Sequence, residues 1–199
     1  MADGPRIDIG ETPCVPVRGP AYRPVMVDDT VPGDAKDWTW VLERACPECG
    51  VDAGSIDVET IPELVRDNAA AWQDILARDD VRRRPRPGVW SPLEYGCHVR
   101  DVLRLYDARL GLMLDEDDPL FANWDQDETA VAERYGDQDP AMVAAELAEA
   151  AETIAASFAA VRGEQWERQS RRSDGAVFTV RSFGRYFVHD PLHHLADVS

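Results

Sequence analysis

The sequence predicts an all-α fold, a four-helix bundle with an irregular N-terminal extension. Three observations carry that expectation. Apolar residues recur at spacings of three and four through most of the chain after residue 56. Several of these stripes open on a capping residue followed by proline or glutamate. Strand signals are confined to one short stretch around a Ser-Asp-Gly turn. At 199 residues, with 44% hydrophobic and 30% charged residues, the chain has enough apolar material for one core and suits a single domain with an appendage.

Residues 1–55 read as a proline-rich extended arm ending in a C-x-x-C turn, and residues 56–199 as the helical domain. Six of the fourteen prolines lie before residue 37, with no apolar period among them. Trp38 to Leu42 then forms a short apolar stretch leading to Cys46-Pro47-Glu48-Cys49-Gly50. Thr60-Ile61-Pro62-Glu63 has the pattern of a capping box, and Ile61, Leu64, Asn68, Trp72, Ile75 and Leu76 carry a first helix to about Arg78. Pro85 and Pro87 break the chain. Ser91-Pro92-Leu93-Glu94 opens a second helix to about Leu114, with His98, Val102, Leu105, Tyr106, Arg109 and Leu112 on one side. Residues 115–139 read as a long connection anchored by Trp124 and Tyr135. Asp139-Pro140 opens a third helix with the stripe Val143, Leu147, Ala150, Ile154, Phe158, Val161. Ser173-Asp174-Gly175 closes a small hairpin with Val177 to Thr179, and Thr179 caps a last helix to about Val198. Pro191 inside that helix predicts a kink or local distortion.

The charge balance excludes several function classes. Lys+Arg is 21 against Asp+Glu 38, a formal net charge of -17, which repels phosphate backbones and anionic lipid headgroups. Neither nucleic acid nor membrane is therefore an expected partner. No apolar run approaches the ~20 residues that span a bilayer. Residues 1–10 lack the apolar core of a secretory signal, and four cysteines are too few for a disulfide framework, so a reduced, cytoplasmic setting is expected. A homodimer is compatible with the sequence, but no motif encodes one.

All four histidines fall on the second and last helices. His189 and His193 are i, i+4 neighbours, the spacing by which one helix gives two ligands to one metal ion. His98 shares its face with Val102 and Leu105 and points inward. The three form a candidate ligand set with an open position for water or substrate. Asp190 and His194 are a second i, i+4 pair and a competing ligand set, and His194 also suits a role behind the ligands. Individually satisfied histidines without metal are the plainer alternative. Asp101 is a candidate for orienting a histidine ring, or a solvated surface residue. Tyr106 and Arg109 are candidates for a substrate pocket, or for core packing and a surface ion pair.

Two segments resemble the DinB-like superfamily of four-helix metalloproteins. Trp90-Ser91-Pro92-Leu93-Glu94-Tyr95-Gly96-Cys97-His98-Val99-Arg100-Asp101 is similar to that family's second-helix entry with its histidine, and His189-Asp190-Pro191-Leu192-His193-His194 to its last-helix HxxxH. The resemblance runs from about Asp57 to the C-terminus. It implies an up-down-down-up bundle binding one divalent ion, zinc or nickel, through three side chains. Some members are transferases or maleylpyruvate isomerases that act with a low-molecular-weight thiol (mycothiol, bacillithiol or glutathione) on a small-molecule substrate. Such an ion can lower the pKa of a thiol or a water molecule. The expectation is therefore a metal-dependent thiol transferase or isomerase, with a non-catalytic metal- or ligand-binding protein as the alternative. Pro191, between the two last-helix histidines, departs from the family pattern, as does the N-terminal segment.

Cys46-x-x-Cys49 is half of a structural zinc site. Cys14, Cys97 or a histidine could complete it, but without a second C-x-x-C a tight turn with two free thiols is the expected reading. Arg82 to Arg86, the one basic cluster, either draws an anionic ligand to the end of the bundle or pairs with nearby carboxylates.

Overall fold

The apolar stripes become four long helices in the computed structural model, which describes residues 37–199. The proline-rich stretch before residue 37, with Cys14, lies outside the described residues. Helix α1 spans Ile61–Leu76, α2 Pro92–Asp115, α4 Pro140–Ala160 and α5 Val180–Asp197. A short helix, α3, occupies Gln126–Ala132. Both α4 and α5 pack against α1 and against α2, while α1 and α2 touch little although they follow one another in sequence. The order around the bundle is therefore α1–α4–α2–α5.

Helix starts follow their side-chain chemistry. At α2 the Ser91 hydroxyl accepts from the Glu94 amide, and the Glu94 carboxylate accepts from the Ser91 amide at 2.8 Å, a complete capping box. Asp139 caps α4 and Thr179 caps α5. The capping box expected at Thr60 does not form. Residues Val58–Thr60 make a 3-10 turn, which gives Thr60 helical dihedrals and sends its hydroxyl to the Asp57 carbonyl instead. Helix α5 runs through Pro191, as its expected extent to about Val198 required. The buried Asn68 side-chain amide donates to the Pro191 carbonyl at 2.7 Å and fixes α5 against α1 there.

The core lies between the four long helices around Trp72, Leu103, Leu147, Phe158, Phe183 and Phe187. Gly184 lets α5 approach closely: a Cβ there would lie 2.8 Å from Ile61 Cδ1 and 2.9 Å from Phe158 Cε1. The connection after α2 is more ordered than its sequence suggests. Leu120–Phe121 (β1) pairs in parallel with Gln169–Arg172 (β2), which forms the expected hairpin with Val177–Thr179 (β3). Gly175 takes a φ of +98° in its turn. Trp124 and Tyr135 both anchor the connection, Tyr135 by donating to Asp101 Oδ2 at 2.6 Å.

The arginine cluster before α2 is structural. Arg82 donates to the carbonyls of Gly136 and Gln138, and Arg84 donates to Glu94 Oε2 at 2.9 Å. Burial would raise the Glu94 carboxyl, but Arg84 and Ser91 outweigh burial and hold it below the usual carboxylate range. Glu94 therefore stabilises the fold fully above that range, and the contribution is lost as pH falls through the lowered folded-state value. Glu94→Gln should cost about 1–2 kcal/mol at neutral pH, read from urea midpoints, and the gap from wild type should close in acid.

Candidate metal centre

Helix α5 brings four donors into little more than one turn: His189, Asp190, His193 and His194. The ~100° step per residue sorts them into two i, i+4 pairs on adjoining faces, His189 with His193 and Asp190 with His194. Each pair meets a different partner.

Asp190 and His194 face α2. His98 Nε2 lies 3.3 Å from Asp190 Oδ1, His194 Nε2 lies 3.9 Å from the same oxygen, and the His98 and His194 rings are 4.8 Å apart. One donor atom from each of the three lies within 4.8 Å of the others. His98 is fully buried, stacked on Trp124 at 5.5 Å and tilted against Trp90 at 5.4 Å. Neither of its ring nitrogens has an aligned hydrogen bond, and neither does Asp190 Oδ1. Buried polar atoms left in that state are costly, and His98 Nε2 and Asp190 Oδ1, with His194 beside them, make a group that could hold a cation. Burial alone would raise the Asp190 carboxyl, but His98 and His194 outweigh it and hold it at about 2. His194 Nδ1 is 2.9 Å from Asp197 Oδ2, which fixes the ring with Nε2 toward Asp190.

His189 and His193 face the N-terminal segment instead. Cys49 Sγ is 3.6 Å from His189 Nε2, and Cys46 Sγ is 3.7 Å from His193 Nδ1. Burial, then repulsion from His193, pushes the His189 imidazole down to about 4. Burial also lowers His193, so both rings are neutral at neutral pH.

The expected set of His98, His189 and His193 is thus divided. The i, i+4 spacing was legible, but the sequence did not say which of two interleaved pairs turns toward α2. The alternative pair, Asp190 and His194, is the one beside His98. Asp101 orients no histidine, because its oxygens are held by Arg100 and by the Tyr135 hydroxyl. Asp197 has the position behind His194 that was sought in Asp101, and its i, i+3 spacing from His194 was the signal for it.

A cavity of about 1020 Å³ opens beside this group, lined by Trp124, Asp190 and His194 and by Tyr106, Arg109 and Arg172. Arg109 donates to the Ala122 carbonyl at 2.7 Å and sits over the Tyr106 and Phe121 rings. Burial pushes the Tyr106 hydroxyl well above its usual value, so it stays protonated. Arg172 is held by Asp174 at 2.9 Å and by the Tyr186 hydroxyl at 3.2 Å, which keeps its charge at the cavity wall. No sequence signal marked Arg172, since the β2 pairing that positions it depends on the whole connection.

Residues 63–198 match the family model of the DinB superfamily. Among solved structures, the chain is similar to YfiT from Bacillus subtilis, described as a probable metal-dependent hydrolase with an unusual four-helix bundle topology. The TM-score is 0.65 at 20% identity, over 72% of this chain and 86% of YfiT. No curated protein sequence matches significantly.

Proposed function

Since the chain belongs to the DinB superfamily, we propose that it is a metal-dependent enzyme in which His98, Asp190 and His194 hold one divalent ion, zinc or nickel, and a small thiol is activated for transfer or isomerisation. The observation that carries the reading is the convergence of His98 Nε2 from α2 with Asp190 Oδ1 and His194 from α5, the first two without an aligned hydrogen bond, at the edge of the cavity. Two imidazoles and one carboxylate suit a borderline divalent ion and leave room for a further ligand. When bound, the ion acts as a Lewis acid and lowers the pKa of a thiol or water admitted beside it.

The chain's own residues account for the rest. Asp190 offsets one unit of the ion's charge. Asp197 holds His194 in the tautomer that presents Nε2. Trp90 and Trp124 fix the His98 ring and keep water from its faces. Arg109 and Arg172 line the cavity together with Asp125, Asp127 and Asp174, and Arg172 is paired with Asp174, so the cavity offers polar groups of both signs to a small substrate. The cavity volume reaches the upper end of the ~300–1,000 Å³ usual for ligand sites, enough for a thiol beside an acceptor. That room favours S-transfer or isomerisation. Water activation is the second reading, favoured by the likeness to YfiT.

The test is to incubate zinc- or nickel-loaded protein with mycothiol, bacillithiol or glutathione and a panel of small electrophiles and isomerisable substrates. Thiol consumption, or thiol-dependent isomerisation of the substrate, above the blank and abolished by chelator supports the reading. Electrophile hydrolysis without thiol consumption supports the second reading, and neither activity across the panel overturns both.

A further inference from the structure

We propose that Cys46, Cys49, His189 and His193 form a second, structural zinc site that clamps the N-terminal segment to α5. The four donor atoms lie within 4.8 Å of one another. Zinc ligands at ~2.3 Å (sulfur) and ~2.0–2.1 Å (nitrogen), subtending a tetrahedral angle, stand about 3.6 Å apart. The two sulfur–nitrogen separations here are 3.6 and 3.7 Å.

The turn carrying the cysteines is shaped for this geometry. The Gly50 amide donates to the Cys46 carbonyl at 2.8 Å, the Cys46 amide donates to the Val51 carbonyl at 2.8 Å, and Gly50 takes a φ of +77°. The Val51 amide also faces the Cys49 sulfur. Both thiols are reduced and Cys46 is 1% exposed. His193 is supported from behind, as ligating imidazoles usually are. With its Nδ1 toward Cys46, His193 turns Nε2 toward Glu48 Oε2 at 3.6 Å and Asp197 Oδ2 at 3.7 Å. Trp38 covers the group, its ring 5.8 Å from His189 and 5.3 Å from His193. Four protein ligands complete a tetrahedral shell and leave no coordination position for substrate, which marks a structural site.

The clamp has a clear purpose in the fold. Residues 38–60 contain only three short 3-10 turns, Trp38–Leu42, Ala53–Ser55 and Val58–Thr60, and such a segment has little secondary structure of its own to order it. Tied to His189 and His193, it fixes the rotation of the turn of α5 that also presents Asp190 and His194. Asp197 joins the two groups through its contacts with His193 and His194. The zinc site stands independently of the enzymatic reading, and only its effect on turnover rests on that reading.

The experiment is metal analysis of untagged, reduced protein beside Cys46→Ser/Cys49→Ser and Asp190→Asn. The double cysteine variant should lose one zinc equivalent that Asp190→Asn retains. Because the cysteine variant could fail to fold, the zinc X-ray absorption spectrum of Asp190→Asn provides a second reading. It should show two sulfur and two nitrogen neighbours at ~2.3 and ~2.0–2.1 Å. Undiminished zinc in a folded cysteine variant, or a shell without sulfur, overturns the proposal. Zinc lost on removing the cysteines, in a protein whose metal content is indifferent to Asp190→Asn, supports the clamp and counts against the catalytic ion.

Discussion

His98→Ala should abolish the metal-dependent activity, lowering turnover by about 10³-fold or more. Lewis-acid stabilisation is worth several kcal/mol, and each 1.36 kcal/mol is a factor of ten in rate. His98 is the single donor that α2 contributes, so its removal leaves only the two ligands of α5. The effect should be visible directly as a loss of one metal equivalent by elemental analysis. His98 is fully buried between Trp90 and Trp124, and the alanine variant also leaves a cavity. Asp190→Asn separates the two causes. Its side chain is partly exposed, and a neutral amide of the same shape should weaken metal binding and turnover while leaving the thermal midpoint near that of wild type. Full activity in Asp190→Asn would remove Asp190 from the ligand set.

The largest effect on stability should come from Phe187→Ala, at about 3–5 kcal/mol. Phe187 is fully buried, stacks on Phe158 of α4 at 5.6 Å and meets Tyr106 of α2 at 5.2 Å. One ring therefore joins three of the four long helices. The site cannot collapse easily, because Gly184, one turn earlier, already brings the α5 backbone against Ile61 and Phe158. At about 2–4 °C per kcal/mol for a chain of this size, the midpoint should fall by roughly 6–20 °C. A loss below about 1 kcal/mol in urea titration would mean that this cluster does not hold the bundle together. Metal added in excess should recover part of the loss, since ligands bound only by the folded state stabilise it.

The long helices were legible because their signals are local. The start of α2 at Ser91-Pro92-Leu93-Glu94 and that of α4 at Asp139-Pro140 depend on atoms within four residues, and both form as expected. The Thr60 capping box fails because a competing local turn at Asp57 captures the hydroxyl. Strand β1 was illegible for the opposite reason: its two residues pair with a strand some fifty residues away. The candidate site divides in the same way. Histidine spacing on α5 showed that i, i+4 pairs of candidate donors share its faces, and the inward face of His98 showed where a third candidate stood. Which pair His98 meets depends on the rotation of α5. That rotation is set by packing against α1 and α2 and by the segment carrying Cys46 and Cys49. From sequence the cysteine turn reads as two free thiols, because the histidines that meet it lie about 140 residues later in the chain.

Anomalous diffraction at the zinc edge from crystals of the loaded protein tests the division of α5 donors most directly. A peak should stand between His98, Asp190 and His194 at the cavity floor, apart from any density near the cysteines. A peak shared by His98 with His189 and His193, or none beside His98, would contradict it.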